Sequence, residues 1–333
     1  MARKIALFAA VTGLFAGVFT GGCNINVEPP EGDPQTTSAT SSGSGDTSGA
    51  GGGGGNGSGG GSGSGGASAT TGGTGTGTPD ASRCTATPEQ VWCPYEKLSL
   101  PAKLGAMRDV IWQVPLGAAP AGGWRVVLLF QGSFYAPALM FDAGDSSPHG
   151  GYHLASTVKA LLDAGYAVIA PEAHVEGGLF WDTNVPPWTL DWTASPDHAL
   201  MLSIFAAISS GKFGPLDASR MYATGISSGG YMTSRMAVSY PGKFRALAVH
   251  SGSYATCSGP LCIVPSTLPS DHPPTLFLHG DADLIVPIST MKTYNARLVA
   301  EGKETRVVIG AGAGHEWLAA GPQELVSWFD GHP

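Results

Sequence analysis

"YATGISSGGYM", residues 222–232, places two adjacent serines between glycines. Only Ser227 has a glycine two residues before it, at Gly225, and two residues after it, at Gly229. A Gly-x-Ser-x-Gly turn between a strand and a helix is typical of an exposed nucleophilic serine. Glycine is expected at both positions because a side chain there would collide with the neighbouring strand and helix. The stretch therefore predicts Ser227 as a nucleophile.

The segments around this turn alternate between strand-like and helix-like patterns from residue 106 onward. Residues 124–132 form a continuous apolar run that ends in glycine, which is typical of a parallel strand buried on both faces. Repeated strand–helix units predict an α/β fold with a mostly parallel central sheet and helices on both faces. Ligands of such sheets bind beyond the carboxyl ends of the strands. Strands are predicted at 107–115, 124–132, 166–172, 220–227, 246–253, 274–283 and 305–315, and helices at 154–165, 197–211, 229–242, 289–302 and 321–333.

A serine hydroxyl needs a base, and in folds of this kind the acid and then the histidine follow the serine along the chain. Asp283 follows a predicted strand and is the acid candidate, with Asp281 as its rival. We favour Asp283 because the loop must carry the carboxylate outward to reach the histidine. His315 follows the last strand on a glycine-rich turn and is the predicted base.

Four other histidines are expected to have no catalytic role. His279 is interpreted as structural and His250 as a strand residue, and the pair His149 and His153 lies in a glycine-rich loop that does not suit a metal. Two backbone donors are also needed for the oxyanion of the tetrahedral intermediate. The N–H of Ser228 is one candidate, and the other is the N–H of Ser133, with Phe134 as the alternative.

The N-terminal part of the chain differs in kind from the rest. Residues 1–23 combine Arg3 and Lys4 with an apolar run and small residues before Cys23, which predicts a signal peptide. Cys23 ends a sequence like a bacterial lipobox, but Thr20 replaces the usual leucine, so both lipidation and ordinary cleavage remain open. Residues 24–80 are mostly small and polar and predict a disordered linker before a catalytic domain at 81–333.

Composition limits the partners and the compartment. The net charge of −8 and the lack of a basic patch argue against nucleic acid. Beyond Cys23 the chain has Cys84, Cys93, Cys257 and Cys262, an even number that indicates two disulfides in an exported protein. Three pairings are possible, and short-range closure favours 84 with 93 and 257 with 262. The sequence predicts no oligomeric state.

Residues 176–196 have no regular period and carry four large aromatic side chains. A loop this long in a compact domain is usually functional. Its aromatic residues could form an exposed apolar patch that binds substrate, or they could pack over the core as a lid. These residues are Phe180, Trp181, Trp188 and Trp192.

The sequence resembles the extracellular medium-chain-length polyhydroxyalkanoate depolymerases of the α/β-hydrolase superfamily. The resemblance is carried by residues 220–262 and by the stretches "LLFQGSFYAP", "HPPTLFLHG" and "GHEW". The resemblance covers most of residues 124–333. It implies hydrolysis of poly(3-hydroxyoctanoate)-type polyesters, a triad at Ser227, Asp283 and His315, and no metal or organic cofactor. The possible lipid anchor at Cys23 and the long linker depart from that pattern.

Three other functions compete with this one. The same triad would serve a secreted carboxylesterase of the feruloyl or acetyl type. A peptidase is less favoured because the chain shows no propeller or other gating domain. A non-catalytic surface-binding lipoprotein is disfavoured because all three triad candidates are present.

Overall fold

The computed structural model describes residues 82–173, 180–257 and 262–333. The predicted signal peptide with Cys23 and the linker at 24–80 lie outside the described residues, as do residues 174–179, which include the first four residues of the aromatic loop at 176–196. None of the helices in the described residues is long and apolar enough to cross a membrane.

An eight-stranded sheet forms the centre of the described part, with strand order β11-β10-β9-β8-β5-β7-β4-β3 once the strands are numbered along the chain. The six strands from β11 to β7 run parallel, and β4 and β3 complete the sheet as antiparallel strands. β1, β2 and β6 form a separate small sheet. The bounds are β1 Thr85–Ala86, β2 Gln90–Trp92, β3 Glu96–Pro101, β4 Met107–Gln113, β5 Trp124–Phe130, β6 Asp142–Gly144, β7 Tyr166–Pro171, β8 Leu216–Ile226, β9 Phe244–His250, β10 Thr275–Gly280 and β11 Thr305–Gly310.

Helices cover both faces of the sheet. They are α1 Gly151–Asp163, α2 Pro196–Ser209, α3 Ser228–Ser239, α4 Ile288–Ala300 and α5 Gly321–Asp330. α1 and α5 contribute to one apolar cluster, whereas α2 and α3 contribute to a second cluster. α4 packs its apolar side chains into a third cluster. The predicted α/β-hydrolase architecture is therefore confirmed, with a mostly parallel sheet between layers of helices.

β5 shows why this sheet forms from continuous apolar runs. Val127 and Leu129 belong to one apolar cluster, and the alternate residues Val126, Leu128 and Phe130 belong to the other. Side chains alternate between the faces of a strand, so a strand covered on both faces needs apolar residues at every position. All five side chains are fully buried, as the sequence predicts.

Two disulfides hold loops in the described part. Cys84 pairs with Cys93, and Cys257 pairs with Cys262. Of the three pairings that the sequence allows, this is the one favoured by short-range closure. The second disulfide lies in the connection between β9 and β10, which leaves the carboxyl edge of the sheet.

Candidate active site

Ser227 lies at the turn between β8 and α3, in the strained geometry that such turns require. Its backbone has φ 58° and ψ −123°, a left-handed φ that is uncommon for a residue with a side chain. Its N–H donates to the carbonyl of His250 at 3.1 Å, and its own carbonyl accepts from the N–H of Tyr231 at 3.1 Å. These bonds fix the turn from the strand side and from the helix side.

The glycines around Ser227 are required by close backbone packing. A Cβ at Gly225 would lie 2.6 Å from the carbonyl oxygens of Gly229 and Phe130. A Cβ at Gly229 would lie 2.1 Å from the Phe130 oxygen and 2.5 Å from the Gln131 oxygen. The collisions predicted from the sequence are therefore confirmed, because α3 begins directly against the end of β5.

We expect Gly229→Ala to destabilise the protein by about 3 kcal/mol or more, because backbone carbonyls cannot move aside as side chains can. Helix propensity alone would favour alanine at this position by about 1 kcal/mol. A loss of stability would therefore show that the collision with backbone carbonyls outweighs the gain in helix propensity. The matched control is Gly122→Ala, whose Cβ would meet nothing closer than 3.7 Å. Urea unfolding of both variants measures the difference, and equal midpoints would contradict the close packing.

Asp283 and His315 are brought together from two different strand ends. The Nδ1 of His315 donates to the Oδ2 of Asp283 at 2.8 Å. The other carboxylate oxygen, Oδ1, accepts from the N–H groups of Ile285 at 2.9 Å and Val286 at 2.8 Å. The rival carboxylate of Asp281 instead accepts from the N–H of Gly312 at 2.7 Å. The structure thus pairs His315 with the carboxylate that the sequence favours.

His279 contacts the same carboxylate from the buried side. Its Nε2 lies 3.4 Å from the Oδ2 of Asp283 and donates to the carbonyl of Val286 at 2.8 Å. Burial raises the pKa of Asp283, but hydrogen bonds from His279, His315 and the Val286 N–H outweigh it and hold the pKa well below its usual value. The stabilisation from these bonds is present above about pH 4 and is lost as the pH falls through the lower folded pKa.

His250 connects the serine turn to the loop of His315. Its carbonyl accepts from Ser227, and its Nε2 accepts from the N–H of Leu318 at 3.1 Å. Burial and the neighbouring His279 hold the pKa of His250 well below its usual value, so the ring is neutral and Nε2 is free to accept. The sequence identifies His250 as a strand residue, which is confirmed, but contains no signal for this bridging contact.

His149 fixes the loop of His315 from the other side. Its Nδ1 donates to the carbonyl of His315 at 3.0 Å, and its own carbonyl accepts from the N–H of Trp317 at 2.9 Å. The two imidazole rings lie edge to face with centroids 6.0 Å apart. This contact joins residues 166 positions apart, so no local pattern in the sequence predicts it.

The loop after β5 lies beside the serine, as expected for an oxyanion loop. A side chain at Gly132 would begin 3.6 Å from the Cβ of Ser227. The loop turns back on itself through a bond from the N–H of Tyr135 to the Gly132 carbonyl at 3.3 Å, with Phe134 at φ 62°. The choice between the N–H groups of Ser133 and Phe134 remains a prediction.

The aromatic segment packs differently from an exposed patch. Trp181 is fully buried and Trp192 is buried, so these two side chains cannot form a surface that binds substrate, and the expectation is corrected for both. Trp181 packs edge-on against Phe130, and its Nε1 donates to the Gln131 carbonyl at 3.0 Å. Phe180 and Trp188 are partly exposed, and their role as substrate-binding residues remains a prediction.

Buried polar contacts hold the two ends of this segment against the core. Arg108 and Asp197 form a buried ion pair beneath it. The Oδ2 of Asp197 accepts from the N–H of Asp182 at 2.6 Å, and the hydroxyl of Ser195 donates to the Oδ2 of Asp182 at 2.9 Å. Both ends of the aromatic segment are therefore held against α2.

We expect Trp181→Phe to lower stability by about 1–3 kcal/mol, because it leaves the buried Gln131 carbonyl without its indole donor. The control is Trp188→Phe, in a partly exposed ring that lies under the ammonium of Lys103. Urea unfolding with a parallel assay on a soluble ester measures both effects. Equal unfolding midpoints for the two variants would contradict a supporting role for Trp181.

The fold and the comparisons with known proteins together define a class: the chain is a carboxylic ester hydrolase of the α/β-hydrolase superfamily. The family model described as "Dienelactone hydrolase family" matches residues 149–327. The chain belongs to the dienelactone hydrolase family. The match begins at His149 and includes Ser227, Asp283 and His315.

Individual relatives share this family likeness to different extents. The chain is 53% identical over 259 residues to "Poly(3-hydroxyoctanoate) depolymerase" of Pseudomonas fluorescens, covering 76% of this chain and 92% of that protein. It is 33% identical over 108 residues to "Acetylxylan esterase A" of Aspergillus awamori, covering 32% of this chain and 34% of that protein. A solved truncated carbohydrate esterase from gut microbiota has a TM-score of 0.52 at 17% identity, covering 71% of this chain and 96% of that chain, and supports the fold.

Proposed function

We propose that this protein is an exported serine esterase that cleaves medium-chain-length polyhydroxyalkanoates into oligomers or monomers of 3-hydroxy acids. The observation that carries the substrate is the 53% identity to a poly(3-hydroxyoctanoate) depolymerase across 92% of that protein. The observation that supports the chemistry is the 2.8 Å bond between His315 and Asp283, on the loop that His250 ties to the Ser227 turn.

The proposed reaction begins with proton transfer from Ser227 to His315 while the serine oxygen attacks the ester carbonyl. The N–H of Ser228, with that of Ser133 or Phe134, holds the oxyanion. His315 then protonates the departing alcohol, which leaves an acyl-enzyme. A water molecule deprotonated by His315 attacks the acyl carbon and releases the hydroxy acid.

Asp283 has two tasks in this proposal. Its Oδ2 fixes the tautomer of His315 in which Nδ1 carries the proton and Nε2 is free to act as the base. Its lowered pKa keeps the carboxylate ionised at neutral pH, so that its charge stabilises the imidazolium. The carboxylate is itself held in place by two backbone donors and by His279.

Export is proposed from two independent features. Residues 1–23 have the pattern of a signal peptide, and the catalytic part carries two disulfides, which persist in oxidising compartments. A lipid at Cys23 would convert the linker at 24–80 into a tether at a bacterial surface. Mass spectrometry of the mature N-terminus distinguishes a lipidated Cys23 from ordinary cleavage.

A carboxylesterase acting on soluble or plant-wall esters is the second candidate. The observation that favours it is the similarity of a shorter region to an acetylxylan esterase. The same nucleophile, base and acid would act on acetyl or feruloyl groups. The two candidates therefore differ in substrate and share their chemistry.

The experiment that tests the substrate compares the clearing of two polymer suspensions, poly(3-hydroxyoctanoate) and poly(3-hydroxybutyrate), with release of ferulate from a feruloylated substrate. We expect clearing of the first polymer by the wild type and none by Ser227→Ala. Clearing of poly(3-hydroxybutyrate) alone would overturn the proposed preference for polyesters with medium-length side chains. Activity on the feruloylated substrate alone would favour the second candidate.

A further inference from the structure

The most exposed large apolar side chains of the described residues lie in loops at the carboxyl edge of the central sheet. Five of them are between 63% and 92% exposed, a higher fraction than for any other large apolar side chain in that part of the chain. Each lies in a connection that leaves the carboxyl end of β5, β7, β9 or β10, strands that are parallel to β8 and therefore end at the same edge as Ser227. They are Phe134, Leu190, Ile263, Leu284 and Ile285, and we call them the apolar rim.

Three members of the apolar rim are next to groups of the proposed site. Phe134 lies two residues after Gly132, which borders Ser227. Leu284 and Ile285 follow Asp283 directly, and the N–H of Ile285 is bonded to the Asp283 carboxylate at 2.9 Å. The backbone of this turn is therefore folded onto the carboxylate, while both apolar side chains remain in solvent.

Contacts near the second disulfide place Ile263 at the same edge. Ile263 follows Cys262, which is bonded to Cys257, and the carbonyl of Cys257 accepts from the side chain of Asn184 at 3.0 Å. Asn184 belongs to the same connection as Leu190. The segments that carry these two side chains are thus in contact.

Phe134 combines strain with exposure. A φ of 62° is unfavourable for a bulky side chain, and the ring remains 75% exposed, so no burial offsets the strain. Single exposed apolar residues are ordinary, whereas a group of them at a site marks an interaction surface. The conformation of Phe134 is explained if its ring contacts a partner that the chain meets in solution.

The charge of the rim indicates what that partner is. The four turns that carry the rim contain no lysine or arginine of their own, and the Lys103 ammonium over the ring of Trp188 donates to the carbonyl of Ala194. These turns therefore lack the cluster of basic residues that an anionic membrane surface attracts. Their acidic side chains are Asp191, Asp281 and Asp283, and each accepts a hydrogen bond within the protein. These turns are residues 131–136, 183–191, 263–267 and 281–287.

We propose that the apolar rim is an adsorption surface that binds the alkyl side chains of a solid, neutral polyester and holds its main-chain esters at Ser227. This inference rests on the proposed function, since it assumes a water-insoluble substrate. The apolar rim, and not the buried Trp181 and Trp192, supplies the apolar contact with polymer. Each rim side chain binds by the same transfer of apolar surface out of water that drives folding.

The test uses a triple variant, Leu190→Ser with Ile263→Ser and Leu284→Ser, in the full chain. Its matched control is Val299→Ser, which replaces a side chain that is 59% exposed at the far end of α4. Adsorption isotherms on poly(3-hydroxyoctanoate) particles are measured in the Ser227→Ala background, so that the result does not depend on hydrolysis. Turnover of soluble p-nitrophenyl acetate, whose acyl group has no alkyl chain to reach the rim, is measured in the wild-type background.

We expect the triple variant to adsorb at least about tenfold more weakly, because three apolar side chains lose contact with polymer. Soluble turnover should stay within about twofold, and Val299→Ser should match the wild type in both assays. If the triple variant fails to fold, the three single variants replace it, and each is expected to weaken adsorption. Wild-type adsorption by the triple variant, or by all three single variants, would overturn the proposal.

Two further outcomes identify a different occupant and also overturn the proposal. Equal binding of the wild type to neutral phosphatidylcholine vesicles, lost in the triple variant, would assign the rim to lipid. Dissociation of a dimer by the triple variant with unchanged adsorption would assign it to a second copy of the chain. Failure of the proposed function is seen separately, as a wild type that adsorbs to polymer without clearing it.

Discussion

Ser227→Ala is expected to lower kcat on p-nitrophenyl octanoate by about 10⁶-fold, because the hydroxyl that forms the acyl-enzyme is removed. The fold should survive, since the backbone bonds of Ser227 to His250 and Tyr231 do not involve the side chain. Residual hydrolysis from the oxyanion donors and from substrate binding is expected to remain above the rate in water. Steady-state kinetics measure the loss of kcat, and a melting curve for each variant shows whether the fold is retained.

Ser228→Ala is the matched control for this prediction. Within the described residues the Oγ of Ser228 has no hydrogen-bond partner, and the proposed task of Ser228 belongs to its backbone N–H. Alanine keeps that N–H, so activity should fall by less than about tenfold. A large loss in Ser228→Ala with little loss in Ser227→Ala would reverse the assignment of the two serines.

Asp283→Asn is expected to lower kcat by about 10⁴-fold. The amide can donate to Nδ1 of His315, which would hold the ring in the tautomer that cannot accept the serine proton at Nε2. It also removes the negative charge that stabilises the imidazolium. The loss should lie mainly in kcat, since Asp283 contacts His315 and two backbone N–H groups and has no proposed contact with substrate.

Asp281→Asn is the control for Asp283→Asn. Asp281 lies two residues away, and its carboxylate accepts from the N–H of Gly312. Its replacement should lower stability by about 1 kcal/mol and leave kcat within a few-fold of the wild type. A larger loss of kcat in Asp281→Asn than in Asp283→Asn would show that the acid has been assigned to the wrong residue.

The sequence predicts the parallel core of the fold because each of its strands has a local signal. Continuous apolar runs such as residues 124–132 can be covered only on both faces, and the structure buries all of β5 between two clusters. The strand β3 has no such signal. It lies at the edge of the sheet, and Leu100 is the only one of its six residues that is buried. Short strands such as β1 and β6 are equally hard to predict.

The sequence predicts the three triad candidates of the site but not the histidines that hold the loop of His315 in place. Ser227, Asp283 and His315 are found through glycine spacing and chain order, which are local properties of the sequence. His149 and His250 are found only in the structure, because their contacts with the His315 loop join residues far apart in the chain.

The aromatic segment shows the limit of composition as a guide. Four aromatic residues in an irregular loop are compatible with a lid or with an exposed patch. Trp181 is held in the core by contacts that composition does not reveal: its edge-on packing against Phe130 and its indole bond to the Gln131 carbonyl. The exposed apolar residues of the rim are scattered over four loops, so only the shared direction of the parallel strands brings them to one edge.

Covalent labelling with a fluorophosphonate tests the central claim most directly, because the reagent reacts with a serine only when a base has activated it. We expect one equivalent of label on the wild type, located by peptide mass spectrometry at Ser227, with none on Ser227→Ala and full labelling of Ser228→Ala. An unlabelled wild type, or label on any other residue, would contradict the assignment of Ser227 as the nucleophile of a serine esterase.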